Sequence, residues 1–204
     1  MIENEVKSRE IEHLWHFTKF ENLDAILKNG LIPRAMLEAK SANVAYNDEH
    51  RLDYQKAANC LSLGHPNYKM FYRLRCENPD QKWVVLGIEP EVLWINDCAF
   101  CDDNAATGSV ASTPIAQRKG LQAFQKMFLP VAGKPDRGTL SLPDDCPTNP
   151  QAEILAFGVV EPKYIVGAIT QTKAMEDELK EKYPEFEFLY HRAHFSARKD
   201  YEYW

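Results

Sequence analysis

Nothing in this sequence approaches the run of about 20 apolar residues that a membrane-spanning helix needs. Its first residues, MIENEVKSREIEH, are acidic and polar, so no signal peptide is read there. Together these absences predict a cytoplasmic protein with no membrane partner. A surplus of cations is also missing: 24 Lys and Arg stand against 30 Asp and Glu, a net charge of −6. That argues against the general positive field of a protein that coats nucleic acid, while leaving room for a local groove. No G-x-G-x-x-G or G-K-[ST] phosphate loop occurs, which leaves a Rossmann or P-loop nucleotide fold without its signature. The five cysteines are odd in number and scattered, and without an export signal they read as reduced thiols. Cys98-x-x-Cys101 and His191-x-x-His194 have metal-ligand spacing, but no second pair completes either, so no metal is expected. Internal repeats, low-complexity tracts and an interdomain linker are absent as well.

What is present suits one domain over residues 1–204, with 45% hydrophobic and 26% charged residues. Residues 6–14 read as a short polar lead-in. A short apolar strand ends at His16 and Thr18, and residues 20–28 follow as a helix because Phe20, Leu23, Ile26 and Leu27 recur at three- and four-residue steps. Gly30 stops that helix, and Leu31 and Ile32 start a second strand. Residues 41–53 are polar and loop-like. Strands are predicted at 59–63, 83–88, 152–160, 164–170 and 186–190, from apolar, β-branched or alternating runs. Residues 70–75 fit a strand or a single helical turn. Residues 121–128 and 172–183 have helical spacing, and 134–150 form a long, proline-rich loop. Without regular βαβ alternation, this order predicts an α+β fold with a mixed or antiparallel sheet.

Several residues stand out chemically. Glu153 is the lone acid in an apolar strand, QAEILAF, directly after the proline-rich loop. A strand entry can hold a carboxylate in a cleft, although an edge-strand surface Glu has the same pattern. His16 and Thr18 are two apart and project from one side of a strand, so both can address one ligand while Trp15 and Phe17 face the core. Equally, a lone His in an apolar run can be a core histidine. Arg51, in NDEHRLDYQKA, reads as a surface ion-pair partner or as a fork for a pyrophosphate or a base. In GHPNYKMFYRLR, residues 64–75, Tyr68, Phe71 and Tyr72 alternate with Lys69, Arg73 and Arg75, a mixture suited to stacking on a dinucleotide or on single-stranded nucleic acid. A further basic group at Arg118, Lys119 and Lys126 reads either as part of a local groove or as solvated surface charge.

An His-x-Thr strand end that feeds a short helix is similar to the start of the nicotinamide-nucleotide pocket in ADP-ribosyltransferases. Taken in order, LWHFTKFENLDAILKNGLIPR, HRLDYQ, LSLGHPNYKMFY, FCDDNAATGSV and NPQAEILAFGVVEPKYIVGAI resemble the DarT family of toxins that ADP-ribosylate bases in single-stranded DNA. The resemblance runs from Leu14 to Ile169. It implies a split mixed β-sheet with short flanking helices and NAD, as substrate, in the cleft between its halves. It also implies Glu153 as the catalytic glutamate and Arg51 as a catalytic and NAD-contacting arginine. His16, Thr18 and Asn22 would be NAD-binding residues, with Tyr68 or Phe71 stacking on nicotinamide and residues 41–53 closing over the dinucleotide. The wording of residues 64–75 looks more like the guanine-modifying branch than the thymine-modifying one. Expected partners are single-stranded DNA and a DarG-like macrodomain antitoxin. Transfer to RNA or protein by the same fold, or a silent NAD- or nucleic-acid-binding module, are the competing readings.

Overall fold

A computed structural model describes residues 1–40 and 55–204. Seven strands form one sheet in the order β4-β5-β2-β1-β3-β6-β7. They are β1 (Leu14–Lys19), β2 (Ala58–Leu63), β3 (Trp83–Ile88), β4 (Asp97–Cys101), β5 (Glu153–Phe157), β6 (Ile165–Thr170) and β7 (Glu187–Tyr190). Every pairing is antiparallel except β6 with β7, so the sheet is mixed. The helices are short: α1 (Ile2–Ser8), α2 (Leu23–Asn29), α3 (Arg34–Ala39), α4 (Tyr68–Glu77), α5 (Val92–Ile95), α6 (Gly108–Ala111), α7 (Gly120–Lys126) and α8 (Lys173–Lys182). Among the described residues, no helix is long and apolar enough to cross a membrane.

Both faces of the sheet are covered. On one, Leu14, Leu61, Leu86 and Ile154 pack against α2 through Leu23, Ile26 and Leu27, and against α8 through Met175 and Leu179. On the other face, Phe71 and Leu74 of α4 cover Trp83, Val85 and Ile169. A smaller cluster of Ala99, Cys101, Ala105, Val110 and Leu155 lies beside them. The central strand β3 is buried at all six positions, which explains why WVVLGI shows no alternation.

Several elements differ from the sequence expectation. The lead-in is a helix, α1, because Val6 docks in the main core and Lys7–Glu3 and Arg9–Glu5 pair along its surface. Leu31 makes only an isolated bridge to Val160 instead of starting a strand, with Gly30 at φ 83° before it and Pro33 soon after. Residues 70–75 lie inside α4, a full helix whose N-cap Asn67 accepts from the Met70 amide at 3.3 Å. Strand β4 went unread. Three of its five residues are Cys or Asp, yet it pairs with β5 at five positions and buries Phe100 on one face and Cys101 on the other.

The proline-rich loop is tied down before it enters β5. Arg137 donates to the Cys146 and Pro143 carbonyls at 2.7 and 2.8 Å, and Arg198 donates to those of Pro147 and Thr148 at 2.7 and 2.8 Å. Gly64, at the end of β2, lets this loop approach. Its φ is +61°, and a Cβ there would lie 2.3 Å from Cys146 Sγ and 2.9 Å from the Cys146 Cα. The chain thus delivers Glu153 from a fixed direction.

Candidate active site

The sheet is split where β1 meets β2. Strand β1 pairs with β3 at six positions but with β2 at only two, Leu14 with Leu63 and Trp15 with Ser62. The next residue on β1 is His16, and its imidazole replaces the interrupted ladder: Nδ1 lies 2.8 Å from the Cys60 carbonyl oxygen. That contact makes Nδ1 the donor. Thr18, at 1% exposure, faces the main core side, and its Oγ1 accepts from Asn22 Nδ2 at 3.2 Å. Trp15 and Phe17 pack on the opposite face against the cluster around Phe71, as the alternation predicts.

Glu153 begins β5, the strand beyond β2. Ile154 pairs with Leu61, so Glu153 stands beside Ser62 where the ladder ends, and on its other side it pairs with Cys101 of β4. Strand alternation gives it the face shared by Trp15 and Phe17. Only 6% of the residue is exposed. Its Oε1 accepts from Asn67 Nδ2 at 3.1 Å and from Asn104 Nδ2 at 2.9 Å.

Both amides are oriented by their own backbone duties. Asn67 uses Oδ1 to cap α4, and Asn104 uses Oδ1 to accept from the Ala106 amide at 2.9 Å, so each turns its NH2 toward the carboxylate. Withdrawing a carboxylate from water costs several kcal/mol unless donors replace it. Two amide donors on one oxygen offset that cost and hold the group in place. Neither asparagine was singled out from the sequence, although both lie in segments that carry the resemblance: HPNYK for Asn67 and FCDDNAATG for Asn104. What sequence could not show is the direction of an amide set by a fold contact.

The remaining candidates divide. Phe71 is a correction: it is 1% exposed and its ring is occupied, stacked on Phe17 at 4.5 Å with the Arg75 guanidinium 4.9 Å from its centroid and Trp83 at its edge. An aromatic on the inner face of a helix is core, and no face remains for nicotinamide. Tyr68, in the first turn of α4, is buried against His65, with a hydroxyl that finds no partner among the described residues. Burial, and then the Asp200 charge, raise its pKa. Arg51 and the rest of 41–53 lie outside the described residues.

His191 and His194 approach each other, Nδ1 to Nδ1, at 3.1 Å, and His194 also stacks parallel to His65. Burial, reinforced by the charges of His65 and His191, pushes His194 down to about 4. Among the described residues no group of three or more His, Cys, Asp or Glu is placed to hold a metal ion. Cys98 and Cys101 are divided between the two faces of β4, with burial pushing their thiols up to about 12 and about 11.

A buried carboxylate at a strand entry, beside the parting of a split sheet, is equipped to stabilise positive charge on a bound sugar. Comparison with known proteins bears on which sugar. Residues 15–195 match the family model described as ssDNA thymidine ADP-ribosyltransferase, DarT. That span extends past Ile169 and takes in α8 and β7. No curated protein sequence matches.

Among solved structures, Thermosipho africanus DarTG in complex with ADP-ribose superposes with a TM-score of 0.64 at 17% identity, over 90% of this chain and 51% of that one. The present chain therefore spans about half the length of that protein. Thermus sp. 2.9 DarT matches in complex with carba-NAD+ (TM-score 0.60, 12% identity, 92% of this chain and 99% of that chain). The same protein in complex with ADP-ribosylated ssDNA gives a TM-score of 0.58 at 13% identity, over 92% and 97% of the two chains. At these identities the likeness is one of fold, and the α+β, split mixed sheet is common to all three.

Proposed function

Because the chain belongs to the DarT family, whose model covers residues 15–195, we propose that it is an NAD-dependent mono-ADP-ribosyltransferase acting on a base in single-stranded DNA. The observation that carries this reading is the Glu153 carboxylate, buried at the entry of β5 and held by Asn67 and Asn104 beside the parting of β1 and β2. In this reading residues 1–204 act as one domain, and NAD is a substrate that lies along the parting with its nicotinamide ribose at Glu153. His16, Thr18 and Asn22 border it from β1 and the turn that follows.

The bond from the ribose anomeric carbon to the nicotinamide nitrogen breaks, and its electron pair leaves with nicotinamide. Positive charge appears on the ribose, and the fixed carboxylate stabilises it. A nitrogen of the base, guanine or thymine, then bonds to the anomeric carbon and gives up its proton. Arg51 orients the base or assists that proton's departure. A single strand presents its bases without the cost of extruding one from a duplex. In a cytoplasmic toxin–antitoxin setting, a DarG-like macrodomain partner would remove the modification.

Intact-mass analysis of short oligonucleotides incubated with protein and NAD tests the reading. One ADP-ribose is expected on single-stranded DNA that contains the acceptor base, with none on the matched duplex. Oligonucleotides with guanine or thymine alone separate the two acceptors. Modification of RNA or of the protein itself, with DNA untouched, would overturn the reading.

A further inference from the structure

The sequence leaves the basic group containing Arg118 between a local groove and solvated surface; Arg118 itself is buried. It closes the 3-10 turn Ile115–Arg118 before α7, with 7% exposure. Its neighbours in that group have anions: Lys119 pairs with Asp97 at 2.6 Å and Lys126 with Asp102 at 3.0 Å. Among the described residues no carboxylate pairs with Arg118. Its Nη1 donates to Cys101 Sγ at 3.5 Å, a weak acceptor, and its Nε is buried with no acceptor at all. Nη2 also makes no hydrogen bond to a described residue, and it is not among the buried unpartnered atoms. The Nε–Nη2 edge, the one by which a guanidinium clamps an oxyanion with two parallel bonds, is thus unspent. A buried cation without a counter-charge is costly for a fold to keep.

Its position says which anion would complete it. Cys101, the residue it touches, is the direct register partner of Glu153, so the guanidinium lies on the β4 side of that carboxylate. His16 and Thr18, assigned to NAD, lie on the opposite side, across β2 on β1, with Asn22 in the turn that follows. Donor and acceptor must meet at Glu153 from different directions, which leaves the β4 side to the acceptor. Resting on the function proposed above, we infer that Arg118 binds a backbone phosphate of the acceptor strand beside the base that is modified. A phosphodiester supplies two oxygens at the spacing of the fork, and every single strand carries one per nucleotide.

Oligonucleotide binding without NAD, followed by fluorescence anisotropy across a salt series, tests this with Arg118→Met and Arg118→Lys. The methionine variant is expected to bind about ten- to a hundredfold more weakly. The slope of log affinity against log salt should also flatten by about 0.7, the loss of one phosphate contact. Arg118→Lys keeps the slope, through its charge, and loses part of the affinity. In steady-state transfer the Arg118→Met defect falls on the KM for the oligonucleotide and not on that for NAD. Its melting temperature, measured without ligand, should match or exceed the wild type by a few degrees, as roughly 2–4 °C accompanies removal of a modest unpaired-charge penalty.

A folded Arg118→Met protein with unchanged affinity and slope would overturn the assignment, as would a defect carried by NAD. A destabilised variant whose salt slope is unchanged would make Arg118 structural and overturn it too. Wild-type protein that leaves every oligonucleotide unmodified would instead remove the proposed function, and this inference with it.

Discussion

Glu153→Gln is expected to lower ADP-ribose transfer by at least about a hundredfold, on the scale seen when one preorganised charge-stabilising group is removed from an active site. The replacement keeps the two asparagine contacts. A glutamine oxygen still accepts from Asn67 and Asn104, whose NH2 groups point at Oε1 from 3.1 and 2.9 Å, so the side chain keeps its place. What disappears is the negative charge that offsets the developing positive charge on ribose. The loss should therefore appear in the rate of nicotinamide release in a single turnover, with NAD affinity nearly retained. Because a buried carboxylate is costly to keep, the variant should melt at or above the wild-type temperature. Wild-type rates in a folded Glu153→Gln protein would reduce this residue to a satisfied structural acid.

Asp200→Ala is expected to have the largest effect on stability, although the residue lies far along the chain from Glu153. Arg198 and Asp200 form a two-pronged pair, with Nε to Oδ1 and Nη2 to Oδ2 both at 2.6 Å. Arg198 is 7% exposed and Asp200 is 3%. Trp204 Nε1 adds a bond to Asp200 Oδ2 at 2.7 Å. Removing the acid leaves a buried guanidinium unpaired, at a cost of about 3–5 kcal/mol. For a chain of this size that lowers the melting temperature by about 10 °C. Arg198 also holds the Pro147 and Thr148 carbonyls, in the loop that feeds β5, so transfer should fall with stability despite the absence of any contact to substrate. Calorimetry alongside the transfer assay checks both effects. A melting temperature within 2 °C of wild type, a small change on this scale, would show that the tail does not clamp the loop.

The sequence was readable where local pattern and tertiary burial agree. WVVLGI and YIVGAIT are strands because β-branched runs suit a sheet covered on both faces, and α8 follows from its spacing and from Thr172, whose hydroxyl caps Met175. It was unreadable where a distant contact decides. Strand β4 exists because β5 lies beside it, and α1 because Val6 finds the core.

The site divides in the same way. Glu153 and His16 stood out as polar residues in apolar strands, and strand alternation puts them on opposite faces of the sheet, Glu153 on that of Trp15 and Phe17 and His16 on that of Leu14 and Thr18. Phe71 was misjudged, because an aromatic–basic stretch looks the same whether its rings face a ligand or a core, and only the helical period of α4 distinguishes them. Asn67 and Asn104 escaped notice, and the burial of Arg118 went unread, for a common reason. Their importance lies in which atom is satisfied and which is not, a property of the folded contacts alone.

The most direct measurement is a crystal structure with a non-hydrolysable NAD analogue. The Glu153 carboxylate should lie within hydrogen-bond distance, about 3 Å, of a hydroxyl on the nicotinamide ribose, with the dinucleotide running along the opening between β1 and β2. An analogue bound elsewhere, or one that leaves Glu153 wholly engaged by Asn67 and Asn104 away from the sugar, would contradict the assignment.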